Sequence, residues 1–276
     1  MIANRRKEHH LMTDSLPHRT PVEARAAAAI DIARQVGRWA ARHRAENDPL
    51  SLSVENKGPQ DFVTEVDRRA EAEIRSRLLA DFAGDGFLGE EGGNLAGSRG
   101  VWVVDPIDGT TNYIRGFRHW GVSIAYVEDR EIRLGVIYDA AQDCVFHAIA
   151  GEGAFRDAAP IRAAATRDPA LAIAMLGHSR RTRFEDYLSV SRRLHDLGVD
   201  YRRMGAAAIG LVRVAEGAAD LYYERHLNSW DMLAGALIAR EAGAHVAMAP
   251  VETLLAQGGG ILACAPALAE GFSFLA

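Results

Sequence analysis

Cysteine is nearly absent from this sequence. Its 276 residues include only Cys144 and Cys264. They belong to no CxxC pair, which leaves no thiolate zinc site and no disulfide framework to expect. A reducing cytoplasm is the compartment this usage predicts. Long apolar runs are missing too. None approaches the ~20 residues that a membrane helix needs, so no membrane partner is expected. The ten histidines show no HExxH or other ligand spacing and read as surface or satisfied core. An excess of positive charge is also lacking, with 32 Lys+Arg against 37 Asp+Glu and a net charge of -5. That balance argues against a general nucleic-acid binder, which would show a basic face, and no nucleic-acid partner is expected. No internal repeat or low-complexity segment stands out. The opening MIANRRKEHHLMTDSLPHRTP has charge but no apolar segment, so it does not read as a secretory signal. Residues 1–20 are expected to form a mobile tail, or an interaction arm through the basic stretch Arg5–His10.

What is present is the composition of a globular protein, 48% apolar and 25% charged, long enough for one large domain or two small ones. From Pro21 to Glu46, small and apolar residues recur at helical spacing behind a Thr20-Pro21 start. Lys57-Gly58-Pro59 reads as a loop. A second helix is expected from Thr64 to Asp81, with Val66, Ala70, Ile74 and Leu78 on one face. A turn covers 84–89, and a strand runs 101–105. Residues 121–128, 131–138 and 144–149 read as an antiparallel meander. Beyond residue 155 the order becomes αβ-like. Strands are expected at 171–177, 200–203 and around ADLYYE, and helices at 182–197, 205–216 and 229–242. The segmentation is a tail (1–20), an N-terminal α+β half (21–155) and a C-terminal αβ half (156–276).

Four acidic clusters need explaining. In VWVVDPIDGTTNY, Asp105 ends a buried strand and Pro106 fixes a turn. Asp108 then returns to the same side, ahead of Gly109-Thr110 at a helix start. Backbone N–H groups there suit an anion such as phosphate. Two carboxylates beside a phosphate cradle would repel the substrate unless a cation sits between them. Glu90-Glu91 lies between Gly89 and Gly92 and, taken alone, reads as a solvated turn. Asp67 alone reads as a helix-dipole residue, and Asp231 alone as a cap or first-turn residue. Jointly they supply acidic oxygens from four elements and no sulfur. Oxygen-only ligation selects a hard cation, with magnesium the default for phosphoryl chemistry. His119 and His226 are the histidines nearest to these clusters.

KGPQDFVTEVD, FLGEEG, WVVDPIDGTTNY, GVIYDA and ADLYYERHLNSWDMLAGALIAREAG occur in that order. Through them the chain resembles the inositol monophosphatase family over about residues 22–270. That family comprises lithium-sensitive, metal-dependent sugar phosphatases. The set of GEE, DPIDGTTN and a late WD is highly specific. The resemblance implies an α+β fold, a layered αβαβα sandwich of the sugar phosphatase type, and a homodimer. It implies two or three Mg2+ per site. Glu90, Asp105 and the Ile107 carbonyl would bind the first; Asp105, Asp108 and Asp231 would bind the second. A third, looser ion would share Glu90, which places Glu90 among the catalytic residues. Asp67 and Thr110 would orient and activate the attacking water. Gly109 and Thr110 amides would hold phosphate oxygens. Ala206, Glu224 and Asp231 would line the substrate, with Glu224 accepting from sugar hydroxyls. The matching family loop carries a lysine, but Lys57 stands one residue closer to Asp67 than in animal inositol phosphatases, and no direct role is assigned to it.

The implied activity is magnesium-dependent hydrolysis of a small polyol or sugar phosphate, with inositol 1-phosphate first. Ala206 stands where animal members often carry threonine, so substrate identity is open. Glu224 would equally meet an amine, which makes histidinol phosphate an alternative. A 3′-phosphoadenosine 5′-phosphate reading lacks a locatable adenosine pocket. Fructose 1,6-bisphosphate would need extra basic residues, for which Arg180, Arg181 and Arg183 are candidates. A regulatory binding protein on the phosphatase scaffold is the reading from another class, motivated by the basic tail.

Overall fold

The computed structural model describes residues 22–47, 54–58 and 61–275, so the expected tail lies outside the described residues. Helix α1 (Val22–Glu46) buries Ala26, Ala29, Ile32, Ala33, Val36 and Ala40 along one side, as the periodicity predicts. A hairpin follows, β1 (Val54–Gly58) with β2 (Asp61–Thr64). Lys57-Gly58 therefore ends a strand, where a loop was expected. Helix α2 (Glu65–Asp81) starts one residue later than expected and buries Val66, Ala70, Ile74 and Leu78.

Next come β3 (Gly86–Gly89), β4 (Gly93–Leu95), β5 (Val101–Asp108) and the six-residue helix α3 (Thr110–Arg115). The turn expected at 84–89 is mostly strand. With four residues, two of them glycine, β3 is too short to show a period of two. The meander is as expected: β6 (Gly121–Glu128), β7 (Glu131–Asp139) and β8 (Cys144–Ile149). Asp129 and Arg130 turn between β6 and β7 with φ of 54° and 66°, the left-handed pair that suits a two-residue hairpin. Two short strands, β9 (Ala154–Arg156) and β10 (Ala159–Pro160), complete an eight-stranded sheet in the order β10-β9-β8-β7-β6-β5-β3-β4.

The remaining chain gives β11 (Ile173–Leu176), α4 (Phe184–Asp196), β12 (Asp200–Arg202), α5 (Ala207–Ala215) and β13 (Leu221–Leu227). Helix α6 (Ser229–Glu241), β14 (His245–Met248), α7 (Val251–Gln257) and β15 (Gly259–Cys264) follow. A five-stranded sheet forms in the order β12-β11-β13-β15-β14. The strand expected at 171–177 begins at Ile173, because Pro169–Leu171 makes a short 3-10 turn whose Ala170 N–H donates to Asp168 Oδ1 at 3.0 Å. β11 is not buried on both faces. Ala174 and Leu176 are buried, while Ile173 is exposed.

Alternation along the strands sorts the layers. Trp102 and Val104 of β5 pack with α1 and α2, whereas Val103 packs with α5 and α6. Tyr222, Ile261 and Ala263 of the small sheet close over α5 and α6 from the other side. Leu221, Tyr223 and Leu262 face Leu194 of α4 and Phe272. The order is thus αβαβα, the layered α+β sandwich expected. Helices in the middle layer touch a sheet on each side. Accordingly every residue from Met232 to Ala239 is buried. Gly135 makes the close approach possible, since a Cβ there would fall 2.5 Å from the Ala234 carbonyl oxygen. At the outer layer, Asp85 accepts from Arg25 Nε at 2.9 Å, Arg25 Nη2 at 2.8 Å and Trp102 Nε1 at 3.2 Å. The pair is bidentate and Trp102 adds a third donor to Asp85, the kind of geometry a buried ion pair needs.

Candidate metal and phosphate site

β5 does not stop at Asp105. It pairs with β6 as Asp105↔Ser123 and Asp108↔Gly121, so Pro106 and Ile107 together stand opposite Val122. This is a bulge. Proline is accommodated there because no ladder donor is needed. In a regular strand, residues three apart point to opposite faces. The extra residue reverses the parity, so Asp105 and Asp108 share a face. Ile107 N–H donates to Asp105 Oδ1 at 2.9 Å and fixes the bend. β13 uses the same device: Glu224 pairs with Ile261 and Leu227 with Gly259, two residues against one. Each bulged strand runs into a helix, β5 into α3 and β13 into α6.

Glu90, Asp105 and Asp231 each offer a carboxylate oxygen, and these oxygens lie within 4.8 Å of one another. Glu90, Asp108 and Asp231 line a cavity of about 1170 Å³, with Asp105 beside them at 2% exposure. Asp108 Oδ1 accepts from Ala207 N–H at 3.1 Å and Oδ2 from Ala208 N–H at 2.8 Å, the first turn of α5. Asp231 Oδ2 accepts from Asn228 N–H at 2.8 Å. Asp231 is therefore a cap of α6 as well as a member of the cluster. Asp67, in the first turn of α2, is buried and joins Thr110: Thr110 Oγ1 lies 3.1 Å from Asp67 Oδ1 and 3.1 Å from the Ile107 carbonyl oxygen. Its single proton serves one acceptor at a time.

Burial raises the Asp105 carboxyl well above the ordinary range, and Glu90, Asp108, Asp231 and Asp67 raise it further. Burial pushes Asp108 up to about 7, against the pull of amides at Ala207, Ala208 and Ile209. Burial and then Asp108 push Asp231 up to about 8. A cluster of this kind cannot hold its full negative charge unaided. Its donors are all oxygen, without sulfur or imidazole, which fits a hard divalent cation.

Glu224 stands on the cavity wall at 7% exposure and accepts from Tyr222 OH at 2.7 Å. Burial pushes its carboxyl up to about 7, while Tyr222, Arg203 and Arg181 pull it down. Gly177 makes room for it, since a Cβ there would fall 1.8 Å from Glu224 Oε2. Ala206 is buried on the same cavity. A Cβ at Gly109, whose φ is 90°, would lie 3.0 Å from Ala206 Cβ. Gly109 is thus required both for its left-handed backbone and for this approach.

Some neighbours were not legible beforehand. Asn112 Nδ2 donates to the carbonyls of His119 at 2.6 Å and Met204 at 2.8 Å, sewing α3 to the segment that carries Ala206. Its place inside GTTN was the available signal. Glu71 accepts from Glu91 N–H at 2.8 Å and so touches the glutamate loop. It falls on the apolar stripe of α2, where a charge is out of place. His226 Nε2 lies 3.1 Å from the Gln257 carbonyl oxygen.

Similarity to known proteins agrees with this geometry. The chain matches the inositol monophosphatase family over residues 22–273. It is 39% identical to an inositol-1-monophosphatase of Rhizobium meliloti over 215 residues, 76% of this chain and 79% of that one. It is 35% identical to Nus factor SuhB of Vibrio cholerae, across 86% of this chain and 91% of the relative. The extragenic suppressor protein suhB from Bartonella henselae superposes with a TM-score of 0.85 at 32% identity, covering 91% and 98% of the two chains. An IMPase of Thermotoga maritima gives 0.80 at 26% identity, covering 91% and 96%. With matching fold, matching motifs and these relatives, the chain belongs to the inositol monophosphatase family.

Proposed function

We propose that this chain is a magnesium-dependent phosphomonoesterase for a small polyol or sugar phosphate, inositol 1-phosphate first. The convergence of Glu90, Asp105, Asp108 and Asp231 at one cavity carries the reading. Glu90, Asp105 and the Ile107 carbonyl would hold one ion; Asp105, Asp108 and Asp231 a second; Glu90 would share a third. Magnesium would supply charge neutralisation at the phosphate and a lowered pKa for the attacking water. The protein's own share is positioning, which suffices for phosphoryl transfer. The Asp67–Thr110 pair would orient the water and take its proton at Asp67. Gly109 and Thr110 would hold phosphate oxygens. Glu224, held by Tyr222, would accept from a substrate hydroxyl. Glu224 would also meet an amine, which keeps histidinol phosphate as an alternative substrate. We further propose a homodimer in the cytoplasm; a monomer by light scattering at micromolar concentration would remove the dimer.

Several relatives carry the name Nus factor SuhB. That name favours a second reading, a regulatory factor on the same scaffold, and the expectation of no nucleic-acid partner is not carried forward. Magnesium-dependent phosphate release separates the two. The panel is inositol 1-phosphate, histidinol phosphate, fructose 1,6-bisphosphate and 3′-phosphoadenosine 5′-phosphate, with Asp231→Asn as the contamination control. Release from one ester that needs Asp231, ceases in EDTA and returns with magnesium is the expected result. Silence on all four at saturating magnesium would favour the regulatory reading.

A smaller effect follows from Gly177. In Gly177→Ala the new methyl displaces the Glu224 carboxylate, whose surroundings are buried. KM should rise about tenfold with kcat little changed, because a ground-state contact is lost. An unchanged KM would detach Glu224 from substrate binding.

A further inference from the structure

Behind the glutamate loop lies a second cavity, of about 510 Å³, on the outer side of α2. One wall is the helix, through Arg68, Ala72, Arg75, Ser76 and Leu79; the other is the loop, through Glu91 and Gly92. Arg68, Ala72, Arg75 and Leu79 are four, three and four residues apart, so they share one helix face. Ala70, Ile74 and Leu78 carry a different face into the core. The cavity face is mixed. Ala72 and the half-buried Leu79 supply apolar surface, Arg68 and Arg75 guanidinium groups, and Ser76 a hydroxyl. The other two arginines of α2 reach α1 instead. Arg77 Nη2 pairs with Asp31 at 2.9 Å, and the Arg69 guanidinium lies 4.8 Å from the Trp39 ring. Arg75 turns to the loop. Its Nη1 donates to the Gly92 carbonyl at 3.3 Å, and its guanidinium lies 5.7 Å from the Phe87 ring. Among the described residues it makes no ion pair.

We infer that this cavity is an effector site for a small carboxylate carrying an apolar chain, and that its occupant tightens magnesium binding at Glu90. The coupling rests on the metal reading of Glu90 given above; the binding does not. The size suits a small molecule. A guanidinium fork and a hydroxyl match carboxylate oxygens, and Ala72 and Leu79 would take the chain. One negative charge suits the place better than several, because Glu71 and Glu91 already stand on its walls. Glu91 would also meet an amine on the same ligand. The coupling follows from the two walls. An occupant that touches both binds best where helix and loop stand as they do here. Glu90 opens that loop, so magnesium held by Glu90 favours the same arrangement. Two ligands that favour one state help each other by the same factor. Glu71 pins the loop from beneath, accepting from Glu91 N–H at 2.8 Å; the carboxylate would pin it from outside.

Leucine, 4-methylpentanoate and 3-methylbutylamine test this, since the second lacks leucine's amine and the third its carboxylate. Calorimetry on the full chain, in EDTA and in saturating magnesium, is the measurement. At least one of the two carboxylates should bind, and the amine alone should not. The Kd of that carboxylate should be about fivefold lower in magnesium. The half-saturating magnesium concentration, followed by thermal unfolding, should fall by the same factor when the carboxylate is saturating. Leucine against 4-methylpentanoate tells whether Glu91 takes an ammonium group. In Arg75→Gln the carboxylate should bind about tenfold more weakly or worse. Ala72→Glu should do the same by charge repulsion; Ala72 is exposed, and glutamate keeps the helix. No binding at about 10 mM, binding of the amine alone, or carboxylate affinity unchanged in both variants would overturn the site. Carboxylate binding with no magnesium effect would overturn the coupling. If magnesium itself does not bind, the metal reading falls and the coupling with it, while carboxylate binding still decides the site.

Discussion

Asp105→Asn is expected to lower kcat by roughly a thousandfold, about 4 kcal/mol, and at the same time to make the metal-free protein more stable. The two effects have one cause. Asp105 is 2% exposed, and its carboxylate shares a 4.8 Å cluster with those of Glu90 and Asp231. Without a cation, like charges at this separation in a buried place oppose folding. Asparagine has nearly the same shape. Its oxygen still accepts from Ile107 N–H, the bond seen at 2.9 Å, and its amide gives the crowded acids a donor. The gain should be on the order of 2 kcal/mol in urea unfolding with EDTA. Activity falls because Asp105 is the residue proposed to bridge the first and second ions. Magnesium should correspondingly stabilise the variant less than the wild type. Asp108→Asn makes the contrast. Both Asp108 oxygens accept amides of α5, at 3.1 and 2.8 Å. An asparagine there would aim a donor at a donor, so turnover and stability should fall together. If Asp105→Asn lost stability as well, Asp105 would be a structural residue and the metal assignment would fail. This opposition of function and stability is the usual mark of a site built from repelling charges.

The physical reason some features were legible and others not lies in locality. α1, α2 and the β6–β7–β8 meander declare themselves by apolar period, because each buries one face against one neighbour. β15 does not: GGILAC pairs on both sides, is apolar where it is buried, and opens with glycines that pack through backbone. Asp-Pro-x-Asp did announce two acids on one side, since proline marks the bulge, though the strand's continuation to Asp108 did not show. Bland and functional readings of single residues proved compatible. Asp231 caps its helix and joins the cluster; Asp67 sits in a helix first turn and meets Thr110. Contacts that join distant segments left no local trace. Arg203 beside His178 arises only when β11 and β12 lie side by side, and Gly177 beside Glu224 only when β11 and β13 do.

Glu71 leaves a local trace in the sequence. On α2 it follows Asp67 by four residues and shares a face with Ala70, Ile74 and Leu78, so a carboxylate interrupts the apolar stripe. It is 2% exposed. Its Oε2 accepts from Glu91 N–H at 2.8 Å, and the Gly92 amide also bonds to it. The two glycines that flank Glu90-Glu91 leave space for this carboxylate: a Cβ on Gly89 would fall 2.3 Å from Glu71 Oε2, and one on Gly92 2.1 Å from Oε1. Glu71 is thus a peg through the three-residue loop between β3 and β4, and Glu90 is the first residue of that loop. In Glu71→Ala two amides lose their acceptor, at about 1–3 kcal/mol each. The loop is then free to shift, and misplacement of a ligand by about 1 Å costs on the order of a hundredfold. The expected result is a kcat about a hundredfold lower and a half-saturating magnesium concentration at least tenfold higher, with substrate KM nearly unchanged. Glu71→Gln keeps one acceptor oxygen and should recover most of both. Magnesium titration followed by thermal unfolding reads the same change without turnover. A variant that melted early yet kept the wild-type magnesium response would make Glu71 a core residue with no part in placing Glu90.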